Sequence, residues 1–357
     1  MKTAIAGLPM VGKTSLFTIL TGAHEASRAG QMEARVGMTK VPDPRLEALA
    51  TIFNPDKITH ATVEYLDFPA VSKEALRNPG YLGAMRNVDA LAHVLRVFED
   101  ETVPHELGSV DPLRDAGELE TELILSDLLV VEKRLERLEK DKKKAHTPDL
   151  EHEIELMMRC KEMLEDTKPL REMELSHEEE KRIRGFMFLS QKPMLYVLNL
   201  GEEDAEKLAE REEEFRQGEL GNRPKTAIAG VCGKIEAELA ELEPAEAAEL
   251  LASYGLAESG MRRLITATYR LLGLMSFLTA GEMECRAWTI PIGSKAPQAA
   301  GAIHSDFEAK FIRAETVNWK DLVDFGGYSG LREKGMLRLE GKEYVVRDGD
   351  VLVIRHS

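Results

Sequence analysis

The chain has 357 residues, 43% of them apolar and 31% charged, with a formal net charge of −16 and three cysteines. That length exceeds one ordinary hydrophobic core and implies two or three domains, and the acidic balance argues against nonspecific coating of DNA. No apolar run approaches the roughly 20 residues of a membrane span, and residues 1–7 lack a signal-peptide pattern. Cys160, Cys232 and Cys285 lie too far apart for a metal cluster or a disulfide framework, so a cytoplasmic protein in a reducing compartment is expected, with no membrane partner and no DNA.

Residues 2–6 read as a short buried strand and residues 14–20 as the helix after it. Between them Gly7-Leu8-Pro9-Met10-Val11-Gly12-Lys13-Thr14 satisfies G-x-x-x-x-G-K-[ST], with Ser15 next in line. The chemistry needs that spacing. Glycines let backbone N–H groups turn inward on phosphate oxygens, and the helix N-terminus adds partial positive charge. Lys13 brings a point charge to the β/γ phosphates, and the Thr14 hydroxyl is offered to Mg²⁺. Residues 61–67 are rich in β formers and end in Asp67, placed as the second holder of the Mg²⁺. Residues 90–98 and 194–199 are further apolar strands. Such strands separated by helical stretches predict an α/β fold, a P-loop domain with a mostly parallel sheet covered on both faces. The hexapeptide at residues 2–7 recurs at 225–230 and reads as a second buried strand.

The middle of the chain changes character. Ile124, Leu128, Val131, Leu135 and Leu138 recur at coiled-coil spacing. Thr147-Pro148 looks like an N-cap with proline behind it, opening a second helix that carries Leu150, Ile154 and Met157 on one face. The pair predicts an antiparallel helical hairpin, and Ser176-His177-Glu178-Glu179 opens another helix through a capping box. The hairpin is either a packing device or an arm. If it is an arm, Lys133, Arg134, Arg137, Lys140, Lys142, Lys143 and Lys144 are its basic patch. The last part turns β-rich, with strands expected at 286–292, 342–346 and 351–354, as a small α+β module.

Asn199-Leu200-Gly201-Glu202 follows the strand 194–198, where GTPases carry N-K-x-D. Glu202 is one methylene longer than the aspartate that reads guanine, while Asn199 still reaches a purine N7. The expected ligand is therefore ATP, with GTP weaker. Val231 and Cys232, in Gly230-Val231-Cys232-Gly233, should flank the base through backbone atoms.

These motifs, together with Val41-Pro42-Asp43-Pro44-Arg45-Leu46, Gly108-Ser109-Val110-Asp111-Pro112 and the run 299–308, resemble the YchF-type Obg-like ATPases along nearly the whole chain. The resemblance implies a G domain (1–118 and 189–276), an inserted helical coiled-coil domain (119–188) and a C-terminal TGS domain, ubiquitin-like, at 277–357. It implies a slow ATPase working with ATP and Mg²⁺, and a nucleotide-dependent regulator that meets a ribosome or RNA through the helical arm and the TGS domain. It also implies a hydrophobic residue, Val71, where Ras-like proteins carry a catalytic glutamine, and a catalytic role for His105. The sequence departs from the family in Gln31, where a Mg²⁺-capping threonine belongs, in Ala70, which replaces the switch II glycine, and in a shorter following loop. All three departures touch the γ-phosphate sensor. The alternative they leave open is a nucleotide-bound scaffold, or a ribosome or RNA adaptor, with little or no hydrolysis.

Overall fold

The structure is a computed structural model that describes residues 1–22, 34–71, 73–143 and 147–356. Its strands, in chain order, are β1 (Lys2–Ala6), β2 (Arg35–Lys40), β3 (Lys57–Thr59), β4 (Thr62–Asp67), β5 (Ala90–Arg96), β6 (Met194–Asn199), β7 (Thr226–Val231), β8 (Leu274–Thr279), β9 (Glu284–Pro291), β10 (Phe311–Asn318), β11 (Arg338–Glu340) and β12 (Asp350–His356). The chain forms two compact units, Met1–Met38 with Glu64–Leu271, and Thr39–Val63 with Leu272–Ser357.

The first unit is built on a six-stranded sheet in the order β2-β4-β1-β5-β6-β7. β1 pairs in parallel with β4 and β5, and β6 pairs in parallel with β5 and β7. β5 and β6 are buried at every residue, as strands covered by helices on both faces must be. Leu91, Leu95, Tyr196 and Leu198 pack into one core with Tyr81, Met85, Leu119 and Leu123 from helices. Because β4 and β5 lie on opposite sides of β1, the turn after β1 opens at the point where strand order reverses. In open α/β sheets that crevice, outside the carboxyl ends of the strands, is where ligands sit.

The expected hairpin is present. The first helix, Pro112–Lys142, is capped by Asp111, whose side chain accepts from Arg114 N at 3.1 Å. The second, Pro148–Glu165, is capped by Thr147, and Ser176 and Glu179 complete the capping box of His177–Ile183. Ile124, Val131 and Leu138 are buried against Leu156, Met157, Cys160 and Leu164, which fixes the seam. Arg134 Nε donates to Glu153 Oε1 at 2.7 Å across the pair, while Lys133, Arg137, Lys140 and Lys143 are exposed. Lys144 lies outside the described residues.

The second unit carries a sheet in the order β11-β10-β12-β8-β9-β3. Phe277, Ile290, Ala296, Ala299, Ala300, Ala314 and Leu352 form its core. Arg45 binds Asp43 at 2.7 Å and Asp348 at 2.9 Å, and so ties the Asp43 cap of the Pro44–Phe53 helix to the turn before β12. One expected strand is absent. Residues 342–346 form a turn closed by Tyr344 N to Gly341 O at 3.2 Å, with a single bridge from Val345 to Lys295. The Tyr344 hydroxyl donates to Asp350 Oδ2 at 2.7 Å, and this pull into the sheet end competes with regular strand pairing. The strand that does form there is β11, a few residues earlier. No described helix is long and apolar enough to cross a membrane.

Candidate functional site

The turn from Gly7 to Gly12 takes a shape that only its sequence permits. Gly7 sits at φ 147°, and a Cβ there would lie 2.7 Å from Val94 O; Gly12 sits at φ 98°, and a Cβ there would lie 2.5 Å from Asn199 Nδ2. Both positions need glycine on steric and backbone grounds. The Lys13–Thr21 helix then starts with no side-chain cap, so among the described residues its first N–H groups meet no side-chain acceptor. Anions are held at such ends. Lys13 is buried, and its Nζ donates back to the carbonyl of Leu8.

Burial pulls the Lys13 ammonium down to about 8, with Asp67 opposing the shift. Above that value the folded chain has shed a proton that the unfolded chain keeps up to the ordinary lysine range, so folding stability rises with pH across the window. Polyphosphate affinity runs the other way, since a neutral amine offers no charge. We expect triphosphate affinity to be level up to about pH 7.5 and to fall by up to ~10-fold per unit above about pH 8. Titrations across that range check this, with Lys13→Ala flattening the profile.

Asp67 ends β4 with its side chain 6% exposed. Its Oδ2 accepts the Thr14 hydroxyl at 3.2 Å and the Arg35 Nη2 at 2.6 Å, while its Oδ1 is buried with no partner among the described residues. A hydroxyl and a carboxylate with an idle oxygen are the hard donors that Mg²⁺ takes alongside phosphate and water, so Thr14 and Asp67 fit the metal that the fold implies. The turn after Asp67 is pinned by Tyr81, whose hydroxyl donates to Pro69 O at 3.0 Å and whose ring meets Phe68 edge-on. Val71 is buried in the sheet core. Gln31 lies outside the described residues.

Beside the turn is a cavity of about 310 Å³. Of the residues singled out in the sequence, Gly12, Ser15, Asn199, Leu200 and Val231 line it. Asn199 is a strut: its Nδ2 donates to Val11 O at 3.0 Å, and its Oδ1 accepts from Gly233 N at 3.2 Å. It thereby locks the phosphate turn to the β7 loop, and one amide hydrogen remains available. Asn199→Ala removes both ties and leaves Val11 O and Gly233 N unmet. We expect a loss of about 1–3 kcal/mol in stability, checked by urea melts.

Other residues expected there are not on its walls. Glu202 accepts from the Tyr254 hydroxyl at 2.6 Å on the surface. Cys232 is buried with Ala205 and Ile235, where burial pushes its thiol up. Phe98, Glu99, Asp100, Glu203 and Lys234 line the cavity and were missed in the sequence. The signal for the first three was Arg96, whose buried guanidinium donates to the carbonyls of Phe98, at 3.1 Å, and Asp100, at 3.2 Å, and so shapes that loop.

His105 is not among the residues that line the cavity. Its Nδ1 accepts from Leu107 N at 3.1 Å, which leaves the ring proton on Nε2, 2.9 Å from the buried Asp115 Oδ2. Both ring nitrogens are therefore engaged.

A mostly parallel sheet with a glycine-rich turn at its strand reversal, a buried lysine and an inserted helical hairpin together define a P-loop NTPase of the α/β class. The chain belongs to the YchF family: it is 42% identical over 364 residues to the "Ribosome-binding ATPase YchF" of Bacillus subtilis (strain 168), covering 100% of this chain and 99% of the relative. It is 39% identical over 358 residues to the protein of the same name from Escherichia coli O157:H7, covering 98% of each. The family model YchF-GTPase_C, described as a protein of unknown function (DUF933), matches residues 274–357. Among solved structures, that of the Schizosaccharomyces pombe YchF GTPase is similar, with a TM-score of 0.85 and 29% identity over 99% of this chain and 97% of the other.

Proposed function

We propose that this chain binds a nucleoside triphosphate, ATP in preference to GTP, and uses it to regulate an association with the ribosome. The observation that carries the reading is the uncapped helix start behind Gly12, with Lys13 buried beside it. In this reading the backbone N–H groups of residues 8 and 10–15 and the Lys13 ammonium hold the phosphates, and the cavity edged by Asn199, Leu200 and Val231 takes the nucleoside. A Mg²⁺ on Thr14 and Asp67 would neutralise charge on the phosphates. Engagement of Glu202 by Tyr254 supports the base preference, because guanine reading needs a free carboxylate. An ATP-against-GTP competition tests this; equal or weaker ATP binding overturns it.

The names of the relatives support the ribosome link. We place the contact on the exposed Lys133, Arg137, Lys140 and Lys143 of the hairpin and on residues 277–357, read as a TGS domain. Replacing those four basic residues by glutamine should weaken co-sedimentation with ribosomes about 10-fold or more at moderate salt while leaving ATP affinity unchanged. Ribosomes that carry down neither protein in any nucleotide state exclude the link.

We propose slow hydrolysis, with His105 acting only after its loop releases it from Asp115. A second reading, a nucleotide-bound scaffold, is favoured by the Arg35–Asp67 contact. Turnover of labelled ATP no faster than buffer, and unchanged by His105→Ala, leaves the scaffold alone.

A further inference from the structure

We propose that Arg35 is a resident cation of the phosphate site. Its guanidinium sits on Asp67 where Mg²⁺ would bind, so the chain holds a nucleoside triphosphate without needing the metal. The inference rests on reading the turn from Gly7 to Thr14 as a triphosphate site, and it goes on to say what supplies the second cation there.

The geometry is specific. Arg35 Nη2 lies 2.6 Å from Asp67 Oδ2, the same oxygen that accepts the Thr14 hydroxyl at 3.2 Å. Thr14 and Asp67 are the two donors that fit Mg²⁺, and the guanidinium occupies the carboxylate oxygen on which they meet. A ring contact helps to hold it there. The guanidinium carbon lies 4.8 Å from the centroid of the buried Phe17 ring, a favourable stacking for a cation. Two residues on, Gly37 brings β2 hard against the helix behind the phosphate turn, where a Cβ would come within 2.5 Å of Thr21 Cγ2. That close approach fixes how β2 lies and therefore where the Arg35 side chain falls. With side-chain exposures of 19% for Arg35 and 6% for Asp67, the pair is only weakly screened by solvent.

Arginine suits the task. Its planar fork suits the bridging of a carboxylate and a phosphate. A guanidinium neutralises phosphate charge but organises no octahedral water shell. A site run on Arg35 therefore binds well and hydrolyses poorly, in line with the Gln31 and Ala70 departures in the same sensor.

The test uses the full chain and mant-ATP, titrated by fluorescence in excess EDTA and in millimolar Mg²⁺. Wild-type affinity should differ by less than about threefold between the two media. Arg35→Gln should lose about 10-fold or more in EDTA and recover with Mg²⁺, with Arg35→Lys between them. Nucleotide-free thermal melts check that both variants are folded, and the wild-type comparison stands even if Arg35→Gln is not. Wild-type affinity that collapses in EDTA as far as that of Arg35→Gln overturns the role of Arg35. No mant-ATP binding in either medium overturns the triphosphate site itself.

Discussion

Replacing Lys13 with methionine is expected to abolish triphosphate binding and to raise the melting temperature in the same variant. The two effects share one cause. Lys13 is 8% exposed, and burial drags its ammonium down to about 8. Holding it charged at neutral pH costs the fold on the order of 1–3 kcal/mol, which a methionine of similar length avoids. With no nucleotide present, the gain should appear as about 2–5 °C in Tm. With ATP present the order reverses, because wild type gains binding free energy that Lys13→Met cannot. The loss in affinity should reach about 100-fold or more, since a charge-assisted contact in a poorly solvated turn is removed. A variant that melts lower than wild type without nucleotide would contradict the account of the buried ammonium. A variant that binds ATP as tightly as wild type would contradict the phosphate role.

The second large effect lies at the root of the helical hairpin. Arg171 is fully buried; its Nη2 meets Glu120 Oε2, its Nη1 donates to Ser190 O at 3.3 Å, and Arg223 approaches Glu120 at 3.6 Å. Glu120→Ala strands a buried guanidinium and should cost about 3–5 kcal/mol in urea unfolding. The pair itself is imperfectly met, because Arg171 Nε and Glu120 Oε1 are buried without partners among the described residues. The apolar double variant Glu120→Leu with Arg171→Met should therefore recover most of that loss. Equal losses in the single and double variants would show that shape, not the orphaned charge, governs this junction.

What could be read in the sequence was local, and what could not was brought together by the fold. The phosphate turn announces itself because its glycines, lysine and helix start are consecutive. The caps at Thr147 and Ser176 are legible for the same reason, each being a side chain bonded within three residues of itself. The hairpin seam follows from spacing alone. Arg35 carries no such signal: its partner Asp67 is 32 residues away, and only the sheet sets them side by side. The Glu120–Arg171 pair, 51 residues apart, is invisible for that reason too. Residues 342–346 misled because their β-rich composition matches a strand, while Tyr344 and Val346 serve the core and Asp350 instead. The base loop was half legible. The position of Asn199 at the end of β6 was plain, but its use as a strut between Val11 and Gly233 depends on β7 lying alongside.

The measurement that bears most directly on the central claim is a calorimetric titration of the full chain with ATP, ADP and AMP in turn. If polyphosphate is held by the turn and Lys13, the two ligands that carry a β-phosphate bind, and AMP is weaker by about 100-fold or more. AMP binding as tightly as ATP, or none of the three binding, would contradict it.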